Sequence, residues 1–325
     1  MLFSTVEITR SSPRSPAIDP APRAPTAGPA ALQPHSAYRS IALKVHMKKV
    51  IASDITLKYL EKGVGHPVLM LHGFNNSSEF FREQIDCFAG QLRVIALDFR
   101  GHGSSDDSTG GYNIEQLAKD VDSVIRKLGL DRPHVVCHSM GCAVVWEYVT
   151  LFGAAQPLGK LVLVDQPPCM FRQPWFDDDE ARRAGSMVTN IGELHGFISM
   201  FQSACTVEVA KELVLGSFPV SPPAEDRLVV LAKESMVLSR SIGVPSLFWD
   251  NVFHDWRCRI RSIENKTLVI SGAKSFVSTE SQQWIASNMK SASCKVYEAG
   301  HYPFIECATD FNNDVLAFLS DGTTA

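Results

Sequence analysis

The chain has 325 residues, of which 45% are hydrophobic and 20% charged, and its formal net charge is −4. This is globular composition, long enough for one large domain or one domain carrying an insertion. No long basic block is present and no apolar run nears the roughly 18 residues that span a bilayer, so neither nucleic acid nor a membrane is the expected partner.

Residues 1–46 differ in composition from the rest of the chain. They are rich in Ala, Pro, Ser and Arg, and before Lys48 hold only Glu7 and Asp19 as acids against Arg10, Arg14, Arg23, Arg39 and Lys44. No apolar core for a secretory signal is present. The stretch reads as a disordered leader, with an organellar transit segment and an extension upstream of a start at Met47 as alternatives. The eight cysteines, at positions 87, 137, 142, 169, 205, 258, 294 and 307, form no CxxC pair and no metal-ligand spacing. In a chain of this size they read as reduced, mostly buried thiols, and so as cytoplasmic.

From Lys48 onward strands alternate with helices. Two early strands are expected over 50–60. Short apolar runs at 67–71, 93–97, 134–137, 161–164 and 267–270 read as strands buried on both faces, and 294–297 as the last strand. Helices are expected over 78–90, 114–128, 280–291 and 309–319, with another directly after Ser139. That alternation indicates a doubly wound, mostly parallel α/β sheet. It is interrupted over 166–263, where helical patterns at 177–188, 207–215 and 224–239 dominate and aromatics and methionines are frequent. Such stripes are ordinarily core. Between two sheet strands they read as a helical cap over a pocket. The expected division is a core of 47–165 and 264–325 with a cap of 166–263.

Four of the strands end in polar groups: His72-Gly73-Phe74, Ser139, Asp165 and His301. Sites in open parallel sheets form beyond the carboxyl ends of the strands, so topology brings these groups to one rim. The stretch Cys137-His138-Ser139-Met140-Gly141, at a strand-to-helix turn, resembles the nucleophile elbow G-x-S-x-G of the α/β-hydrolases, with Cys137 where the first glycine usually stands. The chain order Ser139, Asp165, His301 is the family's order, and Ala299-Gly300-His301-Tyr302-Pro303-Phe304 is similar to its histidine loop. The resemblance covers about residues 50–320, and is nearest to capped esterases, C–C hydrolases, dehalogenases and cofactor-free haloperoxidases.

The resemblance implies Ser139 as nucleophile and His301 as its base, because a serine hydroxyl is a weak nucleophile at neutral pH. It implies an oxyanion hole from the backbone N–H groups of Phe74 and Met140, with no cofactor and no metal. Many relatives carry the acid after the strand before the last, but here that slot reads Gly272-Ala273-Lys274-Ser275. Asp165, after the preceding strand, is the favoured acid, with Asp250, Asp255 and Glu280 as alternatives. His72, His102, His138 and Asp98 read as structural. The expected activity is hydrolysis of a carboxylic ester or related acyl bond of a small apolar substrate. A C–C bond hydrolase, a haloperoxidase or perhydrolase, and a non-catalytic ligand-binding protein are the alternatives. Haloalkane dehalogenases and epoxide hydrolases are disfavoured, since they need Asp where Ser139 stands. Oligomeric state is not legible.

Overall fold

A computed structural model describes residues 46–204, 206–239 and 243–321. The expectations for residues 1–45 and for Cys205 lie outside the described residues. Strands β1 (His46–Ala52) and β2 (Ile55–Lys62) form a hairpin, followed by β3 (Pro67–Leu71). A 3-10 turn at Ser78–Phe81 leads into α1 (Arg82–Phe88) and β4 (Arg93–Leu97). Next come α2 (Ile114–Lys127), β5 (His134–His138), α3 (Met140–Phe152) and β6 (Leu161–Val164). After β6 the chain is helical: α4 (Asp178–Ala184), α5 (Ile191–Gln202), α6 (Val207–Leu215), α7 (Glu225–Ser239), α8 (Gly243–Phe253) and α9 (Arg257–Arg261). The last elements are β7 (Thr267–Gly272), α10 (Thr279–Asn288), β8 (Ala292–Tyr297), α11 (Pro303–Glu306) and α12 (Ala308–Ser320).

One sheet holds all eight strands in the order β1-β2-β4-β3-β5-β6-β7-β8. The pairings involving β2 are antiparallel and the others parallel. The apolar runs of β3 to β7 are buried because both faces are covered. Successive side chains point to opposite faces. Leu69, Leu71, Val135, Cys137, Leu161 and Leu163 therefore join the core under α2 and α3. Val68, Met70, Val136, Val162 and Val164 join the core under α1 and α12.

Local chemistry sets many helix ends. The side chains of Asn113, Asp177, Asn190, Thr206 and Ser278 each accept a backbone N–H of the first turn. The helix expected over 177–188 stops at Ala184, because Gly185 takes φ +68°, a left-handed stop that glycine supplies without steric penalty. Val188 instead bridges Phe171. Helices α5, α8 and α9 were not expected. Gly192 and Gly196 lie within α5, and Pro245 lies in the first turn of α8, where its missing N–H is not needed. Disulfides are absent among the described cysteines. Cys137, Cys142 and Cys169 are buried but Cys87 and Cys258 are exposed, so the expectation of mostly buried thiols is only half met. No helix among the described residues is long and apolar enough to cross a membrane.

Candidate active site

The turn after β5 is backbone-strained. Ser139 has φ 49° and ψ −127°, outside the ordinary regions for a side-chain-bearing residue. Such a conformation costs roughly 1–3 kcal/mol and persists only where its surroundings impose it. Here the Ser139 N–H donates to Val164 O at 2.8 Å and its carbonyl accepts from Cys142 at 2.7 Å. A Cβ on Gly141 would lie 2.5 Å from Leu71 O and 2.8 Å from His72 O, so only glycine lets α3 approach β3 this closely. The position before the turn is less demanding. Cys137 is fully buried and its Sγ donates to Val162 O at 3.4 Å, so its side chain fits where the resemblance has glycine.

Asp165 ends the neighbouring strand. The β5–β6 register closes with His138 opposite Val164, which leaves Ser139 and Asp165 one step beyond it on adjacent strands. Asp165 also has a positive φ, 55°. It is fully buried, and three donors meet its carboxylate. Gly272 N–H reaches Oδ1 at 3.1 Å, the Ser275 hydroxyl reaches Oδ2 at 2.5 Å, and His301 Nδ1 lies 2.8 Å from Oδ2. Ser275 stands in the slot after β7 where the resemblance puts the acid of many relatives, and its hydroxyl supports the carboxylate on β6 instead. Nothing in the sequence marks this partnership.

His301 is held from several sides. Its N–H donates to Ser217 O at 3.2 Å, and its carbonyl accepts from His138 Nε2 at 2.9 Å. A Cβ on Gly300 would lie 2.3 Å from Pro219 Cδ, so glycine is needed where the loop passes the helical segment. The Phe276 ring centroid lies 4.4 Å from that of His301, although Phe276 is 56% exposed. Phe276 carries no motif signal in the sequence.

Burial lowers the His301 pKa to about 3, so the imidazole is neutral at physiological pH. Burial raises the Asp165 pKa, and the Ser275 and Gly272 donors oppose that rise. With Nδ1–H directed at Asp165, the Nε2 of His301 is left as a proton acceptor.

The other residues singled out in the sequence have these surroundings. Phe74 follows β3, and Met140 is the first residue of α3. Neither N–H donates to a backbone carbonyl among the described residues. His72 donates from Nδ1 to Gly73 O and accepts from Phe99 N–H, which ties the loop after β3 to that after β4. Asp98 accepts from the N–H groups of Ser78 and Ser104, and burial raises its pKa to about 6. His102 bonds Arg100 O. The alternative acids are engaged elsewhere: Asp250 with Ile114 N–H and His254, Asp255 with Arg257, and Glu280 with Arg182.

Ser139 and His301 both line one cavity of about 440 Å³. Phe74 and Phe276 also line it, and the segment after β6 contributes Met170, Phe197, Phe201 and Phe248. Glu212 is the one carboxylate in the wall among the described residues.

Residues 66–186 match a family described as the alpha/beta hydrolase fold. A non-heme haloperoxidase of Rhodococcus erythropolis is 35% identical over 126 residues, 38% of this chain and 46% of that protein. Epoxide hydrolase 3 of Mus musculus is 30% identical over 132 residues, 39% of this chain and 35% of that protein. The matched stretch spans less than half the length of these curated relatives. An esterase from Exiguobacterium antarcticum superposes with a TM-score of 0.74 at 22% identity, over 84% of this chain and 99% of that one.

Proposed function

The chain belongs to the α/β-hydrolase fold superfamily, and on that premise we propose that it is a serine hydrolase cleaving a carboxylic ester or related acyl bond of a small, largely apolar substrate. The observation that carries this reading is the Asp165–His301 hydrogen bond at the wall of a cavity that Ser139 also lines. In this reading Nε2 of His301 takes the Ser139 hydroxyl proton as the oxygen attacks the carbonyl carbon. The N–H groups of Phe74 and Met140 bind the oxyanion of the tetrahedral intermediate. The imidazolium, stabilised by Asp165, then protonates the departing alkoxide and leaves an acyl-Ser139 ester. Water, deprotonated by His301, hydrolyses that ester and restores the serine.

The helical segment 166–263 acts as the cap and selects the substrate. Its aromatic and methionine side chains favour apolar groups, and among the described residues the lining holds no lysine or arginine for an anionic substrate. Epoxide hydrolysis of the kind named for the mouse relative is disfavoured, because serine rather than aspartate stands at the elbow. Halide or peroxide chemistry like that named for the Rhodococcus relative would be a side reaction, in which peroxide replaces water on the acyl-enzyme. The test is a panel of esters of rising acyl length. Turnover of short to medium apolar acyl groups, abolished by Ser139→Ala, is expected. No turnover of any ester, or a strong preference for highly charged ones, would overturn the reading.

A further inference from the structure

Most of the wall of the main cavity is apolar, with Phe197, Phe201, Phe248 and Phe276 among its rings. One strip differs. The end of α6 and the residues after it contribute Glu212, Leu213, Gly216 and Ser217. The spacing i, i+1, i+4, i+5 is one helix face, so α6 turns the face that carries Glu212 toward the cavity. Gly216 keeps the helical conformation, its N–H donating to Glu212 O at 3.1 Å. Glu212 is also solvent-exposed, so it stands where the cavity meets water. The strip is anchored to the site, because Ser217 O accepts the His301 N–H at 3.2 Å. Glu212 lies five residues back from that contact, roughly 7.5 Å of helix rise.

Glu212 has no compensating charge. Its neighbour Lys211 is paired with Glu225 at 2.8 Å, and the carboxylate of Glu212 has no hydrogen bond or ion pair among the described residues. No lysine or arginine among the described residues lines the cavity. An acid in the last turn of a helix also meets the negative end of the helix dipole, which local stability disfavours. Helix stability therefore does not account for Glu212. The dipole and the carboxylate instead act in the same direction, toward a cation. The phenylalanines of the wall add rings whose faces attract cations.

We propose that Glu212 selects substrates that carry one cationic group, an ammonium, at the far end of an otherwise apolar chain, and turns away those with a carboxylate there. The inference rests on the hydrolase reading and narrows its substrate class. The ester reacts at Ser139 and His301, while the ammonium sits beside Glu212 at the cavity mouth.

The experiment measures dissociation constants by ligand-observed NMR on the Ser139→Ala protein, which cannot form an acyl-enzyme. The ligands are ethyl esters of straight-chain acids from butyrate to octanoate, and butyrate esters of alcohols of the same lengths. Each ends in a trimethylammonium, a tert-butyl or a carboxylate group. The first two have nearly the same shape, so their affinity ratio isolates charge. At one length or more, the trimethylammonium ester should bind about tenfold tighter than the carboxylate ester. Adding Glu212→Gln, which keeps the side chain's size, should lower the trimethylammonium-to-tert-butyl ratio by about fivefold, the upper range for an ion pair open to solvent. Glu208→Gln, one turn earlier on α6 and outside the cavity wall, should change the ratio less than twofold. Raising the salt to about 0.5 M should narrow the gap between cationic and anionic esters. A ratio that falls less than twofold on Glu212→Gln, or as far on Glu208→Gln, overturns the proposal, and so does the absence of binding by every ester. Turnover of neutral esters by the unsubstituted protein judges the hydrolase reading separately, because the binding measurement needs no catalysis.

Discussion

The rim of the parallel sheet and the helical segment after β6 are held in different ways. At the rim, the backbone fixes the side chains. Ser139 and Asp165 follow a paired register on adjacent strands, both with positive φ, and glycines at 141 and 300 permit close approaches that no other residue allows. In the helical segment, individual caps set several helix starts, while small apolar clusters and two isolated bridges set how the helices lie. The difference teaches which substitutions alter which kinetic constant. Changes at the rim should act on kcat. Changes in the helical segment should act on KM and on which ester is preferred.

The largest separation is expected at Asp165. Asp165→Asn removes the carboxylate that orients His301 and stabilises its imidazolium, so kcat should fall by about three to four orders of magnitude. The asparagine is nearly isosteric, and circular dichroism should report near-normal folding. Ser275→Asp in that background supplies a carboxylate from the neighbouring loop and should restore part of kcat. Retention of most of kcat by Asp165→Asn would remove Asp165 from the site.

A smaller effect of the other kind is expected at Phe201, whose ring lies 5.0 Å from that of Phe74 and 5.3 Å from that of Phe248. Phe201→Ala enlarges the cavity. A steady-state comparison across acyl lengths should show the optimum moving to longer chains, with relative kcat/KM changing by about tenfold, the scale of one or two methylenes in an apolar pocket. An unchanged profile with a lower kcat throughout would blur the division between the two regions.

The smallest effect is a shift in pH dependence. Burial lowers the His301 pKa, so the base stays neutral below the ordinary value of 6.5. The kcat/KM should therefore stay level as pH falls through 6.5, and decline only at more acid pH. Phe276→Ala lets water reach the imidazole, which favours its charged form and raises its pKa toward 6.5. The acid limb should move up in pH, with the alkaline plateau little changed. An unmoved limb would mean that the ring does not shield His301.

The same contrast explains what the sequence disclosed. Buried parallel strands announce themselves as short apolar runs, and polar residues at their ends then converge by topology, as His72, Ser139, Asp165 and His301 do. The sheet and the candidate residues were legible for that reason. Helix α8, Gly-Val-Pro-Ser-Leu-Phe-Trp-Asp-Asn-Val-Phe, lacks a clean polar face because the cavity takes one side of it and α2 another, and so it carried no periodic signal. The bond from Ser275 to Asp165 spans 110 positions, and nothing local in Lys274-Ser275-Phe276 marks it.

The central claim is that Ser139 is an activated nucleophile, and reaction of the folded protein with a fluorophosphonate tests it most directly. The account predicts one adduct per chain by intact-mass measurement, mapped to the peptide containing Ser139. The adduct should be absent from Ser139→Ala, and slow to form in His301→Ala, where the hydroxyl loses its base. Failure of the folded protein to label, or equal labelling of Ser139→Ala, would contradict it.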